Sequence, residues 1–79
     1  MHVPHYGMNR RDLDRLLRRL GGTVSDVRGT GEIRYTHPLM QRRPRGDKRR
    51  KDAASHLVDF VSEVHRRVRQ RENVFMRSA

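Results

Sequence analysis

The spacing of leucine, valine and phenylalanine residues predicts two amphipathic helices, one on each side of a central segment with a different pattern. Four leucines share the i, i+3, i+4, i+7 spacing of one helix face, namely Leu13, Leu16, Leu17 and Leu20. This stripe predicts a helix over residues 9–20 that is capped by Asn9 and ended by Gly21-Gly22. A second stripe with helical spacing consists of Leu57, Phe60, Val61, Val64 and Val68. It predicts a helix over residues 52–71, with Asp52 as its N-cap.

The central segment alternates apolar and polar residues, which is the period of a β-strand. Residues 23–28 and 32–37 predict two antiparallel strands, because the loop Gly29-Thr30-Gly31 between them has the length and flexibility of a hairpin turn. In the second strand, Ile33 and Tyr35 fall on one face, and we expect that face to contact the helices.

Together these elements predict an α+β domain with the order α-β-β-(β)-α. The strand in parentheses is an edge strand over residues 40–43, with Gly46 in the loop that follows it. Two helices pack on one face of the antiparallel sheet, and water covers the other face. The domain extends over residues 9–71, after a flexible leader of residues 1–8 and before a C-terminal tail of residues 72–79.

Charged residues in the two predicted helices follow the i,i+4 spacing and the helix dipole. Asp14 is placed to pair with Arg18 on the next turn of the first helix. In the second helix, Asp59 and Glu63 precede a group of arginines, which is the arrangement that the helix dipole favours. These arginines are Arg66, Arg67, Arg69 and Arg71.

Basic residues outnumber acidic ones, and they concentrate in a basic loop over residues 39–51. The chain has 19 Lys+Arg against 9 Asp+Glu, which gives a formal net charge of +10. The loop contains Arg42, Arg43, Arg45, Lys48, Arg49, Arg50 and Lys51, and Arg28 and Arg34 extend the patch across the sheet. Guanidinium groups match phosphate oxygens, so this patch predicts a nucleic-acid interface, with a solubilising charge or an acidic protein partner as alternatives. Because aromatic residues are few, we expect recognition of duplex or structured RNA through shape and phosphates.

Several classes of function are excluded by what the sequence lacks. Without cysteine there is no disulfide, thiol nucleophile or cysteine-type zinc site. No residues have metal-ligand spacing, and Gly29-Thr30-Gly31 does not have the form of a nucleotide-binding loop, so we expect neither a metal nor another cofactor. No apolar run approaches the roughly 18 residues needed to cross a bilayer. We therefore expect a cytoplasmic protein with no membrane partner.

Three segments of the chain resemble the HicA family of small toxins from toxin–antitoxin pairs. They are Met8-Asn9-Arg10-Arg11-Asp12-Leu13, Val27-Arg28-Gly29-Thr30-Gly31-Glu32-Ile33-Arg34-Tyr35-Thr36-His37-Pro38 and Ala53-Ala54-Ser55-His56-Leu57-Val58-Asp59-Phe60-Val61. The resemblance implies a fold like that of double-stranded-RNA-binding domains and an activity of mRNA cleavage. It also implies an antitoxin as a protein partner, which we expect to be acidic because this chain is basic.

The resemblance has one departure at the position that matters most for catalysis. The catalytic histidine of the family follows the Gly-Ser of the hairpin turn. Here Gly29-Thr30 is followed by Gly31, which cannot transfer a proton. His37, at the end of the second strand, and His56, in the first turn of the second helix, are therefore the candidate acid and base for RNA cleavage. Alternatively, both histidines are structural. The protein is then either a ribonuclease toxin or a non-enzymatic adaptor, ribosome-associated, nucleoprotein or phage-encoded, that binds RNA or an acidic protein surface.

Overall fold

The computed structural model describes residues 3–78, with the side chains of residues 3–73. Its elements in chain order are α1 (Arg10–Arg19), β1 (Thr23–Val27), β2 (Glu32–Thr36), β3 (Arg45–Asp47) and α2 (Ser55–Ser78). The three strands form one antiparallel sheet in the order β1-β2-β3. This architecture confirms the predicted α+β class and the order α-β-β-β-α.

The first helix begins and ends as its sequence predicts. The Asn9 side chain accepts a hydrogen bond from the Arg11 backbone N–H at 2.8 Å, so it caps the first turn. At the other end Gly21 has a φ of +91°, and the Gly22 N–H donates to the Leu17 carbonyl at 2.9 Å. This pair of glycines forms a Schellman ending, which turns the chain directly into β1.

Strand β2 lies in the middle of the sheet and contributes its apolar face to the core. Ile33 is 3% exposed and Tyr35 is 0% exposed, which confirms that this face contacts the helices. The Tyr35 hydroxyl donates to Asp14 on α1, and the Tyr35 ring lies 6.3 Å from the ring of Phe60 on α2. Both helices therefore pack on the same face of the sheet. Each fully buried aliphatic or aromatic side chain stabilises the fold by roughly 1.5–3 kcal/mol, because its apolar surface is removed from water.

The third strand lies later in the chain than the sequence predicts. It is formed by Arg45–Asp47, not by residues 40–43, and Gly46 pairs with Ile33 in its centre. Glycine is required there because a Cβ on Gly46 would lie 2.4 Å from a methyl group of Leu57. A glycine flanked by charged residues indicates a loop in the sequence, but here it allows α2 to approach the edge of the sheet.

The second helix is shifted toward the C-terminus relative to its predicted span of 52–71. It begins at Ser55 and continues to Ser78, so residues 72–78 of the predicted tail are helical, and Ala79 lies outside the described residues. Asp52 is not its N-cap, because Asp52 forms an isolated antiparallel bridge with Asn9.

The segment before α1 contacts the segment before α2. The Met8 carbonyl accepts a hydrogen bond from the Ala53 N–H at 2.9 Å, and the Arg10 N–H donates to the Lys51 carbonyl at 2.7 Å. Met8 is 6% exposed and belongs to the core, and Tyr6 donates its hydroxyl to Asp59 on α2. These contacts fix the start of α2 against the start of α1. Within residues 3–78, no helix combines the length and the apolar character needed to cross a membrane.

Candidate nucleic-acid interface

An open cleft of about 480 Å³ lies where the β1–β2 hairpin loop, β3 and the start of α2 meet. We call this site the basic cleft. Its lining includes the bare backbone of Gly31 and six side chains that carry charge or can transfer a proton. These are Glu32, Arg45, Asp47, Arg49, Arg50 and His56. Backbone from the loop, side chains from β3 and the following turn, and one histidine from α2 thus meet at a single place.

A turn after β3 presents Arg49 and Arg50 to the cleft. The Asp47 carboxylate accepts a hydrogen bond from the Arg49 backbone N–H at 2.9 Å, which closes the turn. The Lys48 N–H donates to the Gly31 carbonyl at 2.9 Å and so joins the turn to the hairpin loop. A Cβ at position 31 would lie 3.2 Å from a guanidinium nitrogen of Arg49, so the arginine lies directly against bare backbone.

Ion pairs and packing contacts engage several residues of the predicted basic patch. Arg45 pairs with Glu32 at 3.7 Å, and Lys48 pairs with Asp26 at 3.4 Å. Arg42 lies elsewhere, with its guanidinium carbon 6.0 Å from the centre of the Phe60 ring on α2. Among the residues that the structure describes, Arg49 and Arg50 have no ion-pair partner, and both are exposed. Within the basic cleft, these two are the arginines left free to bind an anion.

The remaining predicted contacts lie outside the cleft. Arg28, Arg43 and Lys51 are exposed, and no salt bridge involves them among the side chains of residues 3–73. Arg34 is half-buried on the outer face of the sheet, between Ser25 and Arg45 in register, and its Nε atom has no hydrogen-bond partner. Of the nine predicted residues, three line the basic cleft, namely Arg45, Arg49 and Arg50. Arg34 lies on the outer sheet face, and Arg42 lies beside Phe60 of α2.

His37 has both ring nitrogens engaged in structural hydrogen bonds. Its Nδ1 accepts from the Leu39 backbone N–H at 3.0 Å, and its Nε2 lies 2.7 Å from the Leu20 carbonyl oxygen. A backbone N–H can only donate and a carbonyl can only accept, so these contacts require the neutral Nε2–H tautomer. His37 is also buried, at 8% exposure. Its two hydrogen bonds join the end of α1 to the chain after β2 and leave no ring nitrogen for a substrate.

His56 lies in the basic cleft and has one ring nitrogen available. Its Nε2 donates to the Arg45 carbonyl at 2.6 Å, which fixes the ring at the start of α2. No partner for Nδ1 is found among the described residues, and the side chain is exposed. This nitrogen can accept a proton or a hydrogen bond from a bound molecule. Of the two candidate histidines, the geometry leaves only His56 with a nitrogen for catalysis.

A buried polar group near the core involves Asp14, which the sequence predicts to pair with Arg18. Asp14 pairs with Arg10 at 2.7 Å, not with Arg18, and its other oxygen accepts the Tyr35 hydroxyl. Burial, followed by the hydrogen bond to Asp14, raises the pKa of Tyr35 well above its ordinary value. This group holds α1 on β2 and lies away from the cleft, so we assign it to stability.

The described residues contain no group of three or more histidine or acidic side chains that could hold a metal ion. Comparisons of the chain with protein-family models, with curated proteins and with solved structures found no match.

Proposed function

We propose that this protein binds duplex or structured RNA through the basic cleft. The observation that carries the proposal is the placement of two exposed, unpaired arginines, Arg49 and Arg50, beside the bare backbone of Gly31. Guanidinium groups bind phosphate oxygens through two parallel N–H donors. The glycine leaves room for the Arg49 guanidinium, which lies against the backbone where a Cβ would otherwise stand. The net charge of +10 favours association with a polyanion over the whole surface.

The start of α2 adds to the attraction for phosphate. No acidic residue lies in its first turn, and the Ala54 carbonyl accepts the first backbone hydrogen bonds of the helix. The N–H groups of this turn and the positive end of the helix dipole therefore favour an anion. Glu32 and Asp47 oppose it, but Glu32 is paired with Arg45, and the Asp47 carboxylate accepts the Arg49 N–H.

We further propose that His56 makes the cleft a ribonuclease site of the HicA type. In that family the histidine follows the Gly-Ser of the hairpin turn, and here Gly31 at that position shares its cleft with His56 from α2. His56 Nδ1 would take the proton from an RNA 2′-hydroxyl as its oxygen bonds to phosphorus and the bond to the 5′-oxygen breaks. Water would return a proton to the leaving oxygen, since His37 has no free nitrogen. Under this proposal the protein acts in the cytoplasm, and an acidic antitoxin binds the same cleft.

Binding is tested by titrating the protein into labelled duplex RNA, single-stranded RNA and duplex DNA at several salt concentrations. The cleft variant carries Arg49→Gln and Arg50→Gln. Its control, with Arg11→Gln and Arg19→Gln on the exposed side of α1, loses the same charge. We expect preference for duplex RNA, and about tenfold weaker binding by the cleft variant than by the control. Equal losses in both variants would mean that the protein attracts any polyanion without a specific site.

Cleavage is tested on the same samples by denaturing gel electrophoresis, with wild-type protein and His56→Ala. New RNA fragments that disappear in His56→Ala, but persist in a His65→Ala control, support the ribonuclease proposal. Intact RNA after tight binding by the wild-type protein contradicts cleavage and leaves RNA binding in place.

A second candidate, a non-enzymatic adaptor for an acidic protein surface, is favoured by the alternating charges of the cleft. Glu32, Arg45 and Asp47 lie side by side on adjacent strands, and such patterns suit a protein partner with complementary charges. Binding of poly-glutamate as tightly as duplex RNA, with equal losses in the cleft variant, is the result that favours this function over RNA.

A further inference from the structure

The second helix continues for several turns after Val68, which packs against the core. The next position of the apolar stripe is occupied by the exposed Arg71. From Val68 the helix continues to Ser78, roughly 15 Å further at about 1.5 Å per residue. The longest dimension of the molecule, 47 Å against 23 and 16 Å for the others, agrees with a projecting helix.

The beginning of this projection is rich in arginine. We call residues 66–73 the arginine segment, and its basic side chains are Arg66, Arg67, Arg69 and Arg71. Arg66 and Arg67 pair with Glu63 at 3.2 and 3.8 Å, and Arg67 also donates to the Leu39 carbonyl at 2.6 Å. Arg69 and Arg71 are exposed and have no ion-pair partner among the side chains of residues 3–73.

The arginine segment and the basic cleft lie at opposite ends of one rigid element. The cleft is built on the first turn of α2, and Arg71 lies roughly 24 Å along the same helix from Ser55. Between the two ends, the exposed side of the helix carries Asp59, bound to Tyr6, and Glu63. The helix therefore presents two separate basic regions with an acidic region between them.

We propose that the arginine segment is a second contact for the RNA duplex that occupies the basic cleft, an inference that rests on the proposed function. A ligand that contacts both regions must present phosphates at two places roughly 24 Å apart. Because the helix is rigid, the ligand must match this fixed separation. A stiff duplex does so, since domains that follow the shape of duplex RNA contact about 16 base pairs.

The length of the duplex separates the two contacts experimentally. Duplexes of about 16 and about 6 base pairs are titrated with wild-type protein, with the cleft variant, and with a segment variant carrying Arg69→Gln and Arg71→Gln. The Arg11→Gln, Arg19→Gln protein is again the control of equal charge. Circular dichroism of each variant checks that the fold is retained.

We expect the segment variant to bind the long duplex about tenfold more weakly than the control does, and the salt slope should fall by about 1 for each phosphate that the variant no longer neutralises. For the short duplex it should bind as the control does, because that duplex fills only the cleft. The cleft variant should lose affinity for both lengths.

Three results would overturn the inference. Binding of the long duplex by the segment variant as tightly as by the control removes the second contact, and the proposed function stands if the cleft variant still binds weakly. If the segment variant loses the same affinity for both duplex lengths, the arginine segment is not a second contact that only the long duplex reaches. If poly-glutamate binding falls as much as duplex binding, the segment recognises an acidic protein and not RNA.

Discussion

A histidine lies near each end of strand β2, and the environments of the two are opposite. At one end His37 is buried, and both of its nitrogens satisfy backbone groups of α1 and of the chain after β2. At the other end His56, from α2, is exposed with a free Nδ1 beside two unpaired arginines. The comparison teaches that residue type alone does not separate structural from functional histidines. The number of ring nitrogens already used by the fold does.

The largest expected effect on stability comes from the buried polar group around Asp14. Asp14→Ala would leave the Tyr35 hydroxyl and the Arg10 guanidinium buried with no partner. We expect the free energy of unfolding, measured with urea, to fall by about 3–5 kcal/mol, which approaches the whole stability of a small domain. The exposed Asp12→Ala is the control and should change it by less than about 0.5 kcal/mol. Similar values for the two variants would show that Asp14 is not a buried partner.

The two histidines give a direct contrast of intermediate size. His37→Ala removes hydrogen bonds to the Leu20 carbonyl and the Leu39 N–H, so we expect a loss of about 2 kcal/mol in urea unfolding. His56→Ala removes one bond at an exposed site and should cost about 0.5 kcal/mol or less. Binding and cleavage of RNA should show the reverse order once both proteins are folded. A larger stability loss for His56→Ala would reverse the assignment.

Alkaline pH tests the buried group through Tyr35. Its pKa is raised in the folded state above the ordinary 10.0, so the folded protein retains a proton that the unfolded chain loses. The stabilisation from this proton is complete below pH 10.0 and is lost as the pH rises above it, by at most about 1.4 kcal/mol per pH unit. Urea unfolding between pH 8 and 11.5 should show this slope in wild type and a flatter one in Tyr35→Phe. If Tyr35→Phe keeps the full slope while the exposed control Tyr6→Phe flattens it, the tyrosine responsible is Tyr6.

Periodic features of the fold were predictable from sequence. The leucine stripe of α1, its Asn9 cap and glycine ending, and the inward face of β2 all depend on residues that are near neighbours in the chain. Strand β3 was not predictable, because it has only three residues, and its central Gly46 is required by Leu57 of α2. That contact is between residues of different elements and leaves no periodic pattern.

The candidate site was predictable in composition but not in arrangement. The basic loop contains Arg49 and Arg50, yet the sequence does not reveal that acids on β1 and β2 pair with Lys48 and Arg45. In the same way Arg10 and Arg18 are both four residues from Asp14, and only the structure shows that Arg10 is its partner and that Tyr35 joins the pair. Ion pairs between side chains of different elements are therefore the feature of the site that the sequence does not predict.

The most direct test of the central claim is to follow backbone amide signals of the ¹⁵N-labelled protein by NMR during titration with duplex RNA. If RNA binds in the basic cleft, the largest chemical-shift changes will belong to Gly31, Arg49, Arg50 and His56. These changes will appear at the lowest RNA concentrations. If these four amides stay unchanged while signals on α1 or on the outer sheet face shift, RNA binds elsewhere and the assignment of the basic cleft is wrong.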